Sequence, residues 1–189
     1  MPRVRPNPKP EAKKKAPPPP APDEVAWKDT TGIELSDEAF NEADLFGHFT
    51  EMDGIAETKP VMIYFYWPEE DAENADKNIA NQVRRSQLMD EILTHEEIRR
   101  ASMLFHCYKC NVKELSKILK STYNIKIVPK VLFFNTKGRK VWQLTNTKAS
   151  GTGVAKKMMK IAHDCGCAAG GCTPGGGAAP GGGAAPGGG

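Results

Sequence analysis

Lys59-Pro60-Val61-Met62-Ile63-Tyr64-Phe65-Tyr66-Trp67-Pro68 is an apolar run of strand length, rich in β-branched and aromatic residues and bracketed by proline. Immediately after it the period changes. From Asp71 onward Ala72, Ala75, Ile79 and Val83 recur at helical steps among Glu, Asp, Lys and Arg, and Leu88, Met89, Ile92 and Leu93 extend the apolar face. Far downstream, Ile127-Val128-Pro129-Lys130-Val131-Leu132-Phe133-Phe134 repeats the strand composition, with its strand expected to start after Pro129. These two strands frame the domain.

The remaining elements fill in around them. Trp27 to Leu35 offers a possible short strand beside a Thr30-Thr31-Gly32 turn, and Ser36 can cap a helix whose first turn carries Asp37 and Glu38. Thr94-His95-Glu96-Glu97 reads as a capping box with Thr94 at the cap and Glu97 three residues on. Met103 to Tyr108 reads as a buried strand. Asn111 with Glu114 then caps a helix carrying Leu115, Ile118 and Leu119. Val131 to Phe134 and Lys140 to Leu144 flank Thr136-Lys137-Gly138-Arg139, a hairpin signal with glycine in the loop. Val154 to about His163 forms the last helix, and Ser150-Gly151-Thr152-Gly153 before it reads as a capped start, since the glycine-lysine-hydroxyl ending of a phosphate loop is missing.

The order β-α-β-α-β-β-α, Trp67 at a strand end and Val128-Pro129 before the hairpin strand resemble the thioredoxin-like family over about 110 residues, from Lys59 to Cys165. The resemblance implies an α/β fold: a thioredoxin-like three-layer sandwich with a mixed sheet. It also implies that Pro129 is a cis-proline lying against the strand–helix turn, so that Trp67, Val128 and Pro129 border a groove. The redox pair of that family is missing, because Trp67 is followed by Pro68-Glu69-Glu70-Asp71-Ala72-Glu73-Asn74, without cysteine. Carboxylates in a first helical turn suit the helix dipole and need no activity to explain them.

Composition sets the domain limits. Hydrophobic residues make up 39% of the 189-residue chain, a low share that both ends explain. Residues 1–24 form a basic arm containing Pro17-Pro18-Pro19-Pro20, and residues 166–189 form a Cys/Gly/Ala/Pro-rich tail. Neither buries enough apolar surface to offset chain entropy, so disordered arms are expected on both sides of a single domain at 25–165. Arg3, Arg5, Lys9, Lys13, Lys14 and Lys15 against Glu11 leave the first 22 residues at +5, and the remainder at −2 of the net +3. Nucleic acid is therefore expected to meet only the basic arm, which lacks the interleaved aromatic residues that stack on bases and reads as a solvated spacer. No secretory signal or membrane span is legible, so the expected setting is cytoplasmic, with no membrane partner. The odd count of five cysteines suits that reducing compartment.

Three thiol arrangements compete as sites. Cys107-Tyr108-Lys109-Cys110 has Cys-x-x-Cys spacing, but on a strand residues three apart face opposite ways and cannot join, so inert buried thiols are expected. His163, Cys165, Cys167 and Cys172 gather three thiols and an imidazole on a glycine-rich segment. They could complete a tetrahedral zinc site, exchange disulfides, or stand idle as exposed thiols. His48, His95 and His106 have no partner at ligand spacing. The expected function is a redox-inactive thioredoxin-fold module that holds a protein or extended peptide at the groove, with no cofactor. The alternatives are a thiol-disulfide oxidoreductase using Cys107 and Cys110 or Cys165 and Cys167, and a metal-binding tail.

Overall fold

The structure, a computed structural model, describes residues 20–29, 59–69, 76–115, 120–121, 125–168 and 171–172. The expected arm to residue 19, the helix after Ser36, most of the helix after Glu114 and the tail beyond Cys172 lie outside the described residues. The elements are β1 Trp27–Asp29, β2 Val61–Tyr66, α1 Lys77–Leu93, α2 Glu96–Ser102, β3 His106–Asn111, β4 Lys130–Phe134, β5 Lys140–Leu144, α3 Gly151–Asp164, β6 Cys167–Ala168 and β7 Gly171–Cys172.

Five strands form one mixed sheet in the order β1-β3-β2-β4-β5. β3 runs parallel to both β1 and β2, whereas β2–β4 and β4–β5 are antiparallel. The four segments expected to share a sheet do so. β2 lies in the middle with both faces covered, which is why its sequence is a continuous apolar run and not an alternating one. Side-chain alternation sorts the core into two layers. Met62, Tyr64, Val131 and Phe133 face Met89 and Leu93 of α1, Ile98 and Ala101 of α2, and Val154, Met158 and Ala162 of α3. Ile63, Phe65, Leu132 and Phe134 face the other way, toward Val112, Leu115, Ile125 and Val128.

Local chemistry places the ends of these elements. The hairpin turns at Gly138, φ 74°, and Asn135 Oδ1 accepts from the backbone N–H groups of Lys137 and Arg139. Ser150 caps α3 as expected, its hydroxyl accepting from Gly153 N–H at 3.2 Å. β1 is held against the sheet by parallel pairing, Trp27 opposite Cys107, and Arg99 of α2 donates to the Asp23 carbonyl just before it.

Three expected boundaries differ. α1 starts at Lys77, because Asp76 is its N-cap and accepts from Asn78 and Ile79 N–H; Glu69 is therefore not in its first turn, and the helical start expected at Asp71 lies outside the described residues. Thr94 closes α1 as its C-cap, with its hydroxyl donating to Glu91 O, and the N-cap of α2 is His95, without a side-chain bond. The strand expected from Met103 begins at His106, since Met103 to Phe105 make the turn out of α2 and Met103 is exposed. Past Cys165 the chain continues into a β6–β7 hairpin that pairs Cys167 with Cys172. The cause is Gly166, whose φ of 80° reverses the chain after α3 and turns it back onto the core.

Phe133 is fully buried, stacked on Trp142 at 4.7 Å and edge-on to Phe105 at 6.0 Å. Phe133→Ala is expected to lower unfolding free energy by about 3–5 kcal/mol, and Met103→Ala by no more than about 0.5 kcal/mol. Urea melts of the two variants beside wild type check this difference.

Candidate functional site: the groove beside Trp67 and Pro129

The chain leaves β2 through Tyr66 and Trp67, and α1 catches it there. Ser86, a buried hydroxyl residue on an otherwise apolar helix face, accepts from Trp67 N–H at 3.1 Å, and its carbonyl accepts from the Tyr64 phenol at 3.0 Å. Burial and then the charge of Asp90 hold that phenol protonated far above its usual range. Asp90 is paired with Lys109 of β3 at 3.1 Å, and the Lys109 ammonium sits over the Tyr66 and Tyr64 rings at 4.6 and 5.4 Å. This polar seam between α1 and the sheet positions the end of β2.

Across from Trp67, the segment before β4 comes back toward α1. Val128–Pro129 is a cis peptide, and Val128 N–H donates to Gln82 Oε1 at 3.2 Å. A cavity of about 380 Å³ opens there, lined by Trp67, Gln82, Val112, Lys120, Ile125 and Val128. Trp67 and Val128 thus share one cavity wall, with Pro129 next along the chain. The Trp67 indole N–H is buried and has no acceptor among the described residues. A second cavity of about 350 Å³ lies beyond the cis bond, with Arg85, Lys126, Ile127, Pro129 and Gln143 around it.

Glu69, the one described carboxylate of the turn after Trp67, accepts from the Gln87 amide at 2.9 Å and is a surface group. Cys107 and Cys110 fall on opposite faces of β3, Cys107 with the α1–α2–α3 layer and Cys110 with the other. Both are buried, and neither is disulfide-bonded. Burial pushes the Cys107 thiol up to about 12, against the opposing pull of Lys59 and Lys28. That pair cannot close a disulfide.

In the tail, Cys165 is free and half-buried. Cys167 is disulfide-bonded and 3% exposed, packed into the larger core layer beside α3, which corrects the reading of it as an exposed thiol. His163 is exposed, its Nδ1 3.8 Å from Asp164 Oδ1. Among the described residues, no group of three or more His, Cys, Asp or Glu is placed to hold a metal ion. The sequence reading passed over Gln82 and Ser86. Ser86 carried a legible signal, a small hydroxyl at the helical step between Val83 and Met89 where an apolar residue was due, whereas Gln82 carried none.

No family model matches the chain, and no curated protein does. Solved structures do match. A thioredoxin from Thermus thermophilus is similar at 14% identity, over 67% of this chain and 88% of that one, with a TM-score of 0.44. A disulphide isomerase from Xylella fastidiosa Temecula1 is similar at 18% identity, over 67% and 98%, with a TM-score of 0.43. A mutant thioredoxin from Halobacterium salinarum NRC-1 is similar at 16% identity, over 60% and 84%, with a TM-score of 0.39. Strand order β1-β3-β2-β4-β5, with two parallel pairings and then two antiparallel ones, decides the class. The fold is thioredoxin-like. Within that thioredoxin-like frame the first cavity adjoins the exit of β2, and Trp67 there is followed by no thiol.

Cys107 makes a testable contribution to alkaline stability. Its thiol is raised in the folded state from 9.0 to about 12, so above pH 9 the unfolded chain loses a proton that the folded chain keeps. The unfolded state then binds fewer protons, and stability present below pH 9 is lost as pH rises toward 12. Wild type is expected to lose about 1.4 kcal/mol between about pH 8 and 10 that Cys107→Ala does not lose, measured by denaturant melts at each pH. Over the same range, iodoacetamide applied to the native protein should label Cys165 well before Cys107 or Cys110.

Proposed function

We propose that this chain is a thioredoxin-fold binding module that holds an extended peptide in the groove beside Trp67, Val128 and Pro129, and that performs no dithiol exchange at the turn after β2. One observation carries this reading: a cavity of about 380 Å³ beside a buried indole N–H with no acceptor among the described residues. A buried donor left without a partner costs about 1–3 kcal/mol, and a peptide carbonyl entering the groove supplies that partner. The walls around it are apolar at Val112, Ile125 and Val128 and polar at Gln82 and Lys120, the mixture that orients a backbone while burying one of its side chains.

The same reading accounts for the thiols. Exchange needs a thiolate that can reach a disulfide, and the turn from Trp67 to Asp76 contains no cysteine. Cys107 is protonated and buried at neutral pH, and Cys110 lies on the other side of the sheet. A second reading, exchange at the tail, is favoured by one arrangement: the free Cys165 stands two residues from the disulfide-bonded Cys167. Cys165 is the C-cap of α3 and half-buried, which restricts the approach of a disulfide to its sulfur, so such exchange is expected to be slow.

Two measurements separate these readings. In a peptide-display selection on the full chain, recovered peptides are expected to bind wild type, to lose about fivefold in affinity with Trp67→Phe, which removes the N–H and keeps an aromatic ring, and to lose binding altogether with Trp67→Ala. Equal affinities for wild type and both variants would remove the groove reading. In an insulin-reduction assay wild type should run far below a dithiol thioredoxin, and what remains should vanish with Cys165→Ser. Activity that survived Cys165→Ser and disappeared with Cys107→Ser would contradict both readings.

A further inference from the structure

We propose that the groove's occupant is an acidic peptide, read by three cations on the two sides of the cis bond; this rests on the groove reading above. Lys120 and Lys126 line the cavity at Trp67, and Arg85 and Lys126 line the cavity beyond Pro129, so Lys126 belongs to both. Arg85, Lys120 and Lys126 take part in no ion pair among the described residues. None of the described residues around either cavity is a carboxylate.

The described acids nearest the groove are engaged elsewhere. Asp90 is occupied by Lys109 at 3.1 Å. Glu69 accepts from Gln87 at 2.9 Å, and Gln87 is two residues from Arg85, about 200° around the helix. Gln82, by contrast, is one helical step before Arg85 and binds Val128, which sets the Arg85 face of α1 toward the Lys126–Pro129 segment. Glu114 is held by Asn111 on the far loop. Among the described residues no carboxylate is therefore paired with the three cations, and in this proposal a ligand takes that place.

Between them stands an apolar contact. Ile127 is 58% exposed, unusually open for a residue of its size, and it lies on the rim of the second cavity next to Val128. An extended peptide places alternate side chains on one face at a spacing of about 6.6–6.8 Å. Laid along Lys126–Pro129, it sets an apolar side chain against Trp67 and Ile127 and turns its carboxylates toward Lys120, Lys126 and Arg85. Opposite charge across the groove selects the partner and speeds encounter more than it tightens the complex, so the preference is expected to be salt-sensitive.

The test compares three labelled peptides of identical apolar content, bearing Glu, Gln or Lys at the alternate positions, by fluorescence anisotropy on the full chain. At low salt the Glu peptide is expected to bind about tenfold or more tighter than the Gln peptide, with the Lys peptide weakest, and the gap should close by about 0.5 M NaCl. The double variant Arg85→Glu with Lys126→Glu, the first half-buried and the second exposed, checked for an unchanged melting temperature, should reverse the order in favour of the Lys peptide. Equal binding of all three peptides that still depends on Trp67 overturns the acidic preference and leaves the groove reading standing. No binding of any peptide overturns both. A preference for the Glu peptide that survives the double variant with Lys120→Glu added assigns it to cations outside the groove, such as those of the N-terminal arm, and overturns the proposal, as does a single-stranded oligonucleotide that displaces the Glu peptide at lower concentration and loses affinity with the same variant.

Discussion

The strand β2 carries neighbours on both edges and side chains buried on both faces, and this constraint organises the molecule. Its backbone donors and acceptors are taken up by β3 on one side and β4 on the other, so no polar group of the strand is left inside the core. A strand so enclosed must be apolar on both faces, and Val61 to Phe65 are fully buried. Its C-terminal exit is then a fixed point. Ser86 and Gln82, one turn apart along the same face of α1, tie that exit and the Val128–Pro129 segment to the helix, and the groove between them follows from those two hydrogen bonds.

Thiol chemistry is decided by parity and by burial. Residues of β3 alternate between two cores, so a spacing of three in the sequence becomes a separation across the sheet for Cys107 and Cys110. At the chain's other end a single backbone torsion matters as much. Gly166 reverses the direction of the chain after α3, and the residue that follows it, Cys167, enters the core where a straight continuation would have left it in solvent. The tail thiols are thus unequal: Cys165 is half-exposed and free, and Cys167 is covered and bonded.

Electrostatics separates the two sides of α1. On one side Asp90, Lys109 and the Tyr64 and Tyr66 rings satisfy one another within a seam. On the other, Arg85 faces the Lys126–Pro129 segment with no carboxylate opposing it among the described residues of the cavity. The near-neutral charge of the domain as a whole conceals this division, because a net charge adds contributions that the fold places far apart.

Much was legible from residue order alone. The continuous apolar run at Val61 to Tyr66, the glycine hairpin at 136–139, the seryl cap at Ser150 and the absence of a thiol after Trp67 are each local properties, and local chemistry fixes strand type, turn type and available nucleophile. Parity also predicted that Cys107 and Cys110 would not meet. Element ends were less legible: Thr94 and Asp76 are both good cap residues, and which helix end each one serves depends on where neighbouring packing begins. The partners that build the groove were decided only by tertiary structure. Gln82 and Val128 are 46 residues apart, Lys109 and Asp90 are 19 apart, and the burial of Cys167 depends on a core assembled from α3 and the sheet. A sequence shows which groups are present; long-range packing alone determines which of them lose their water and face one another.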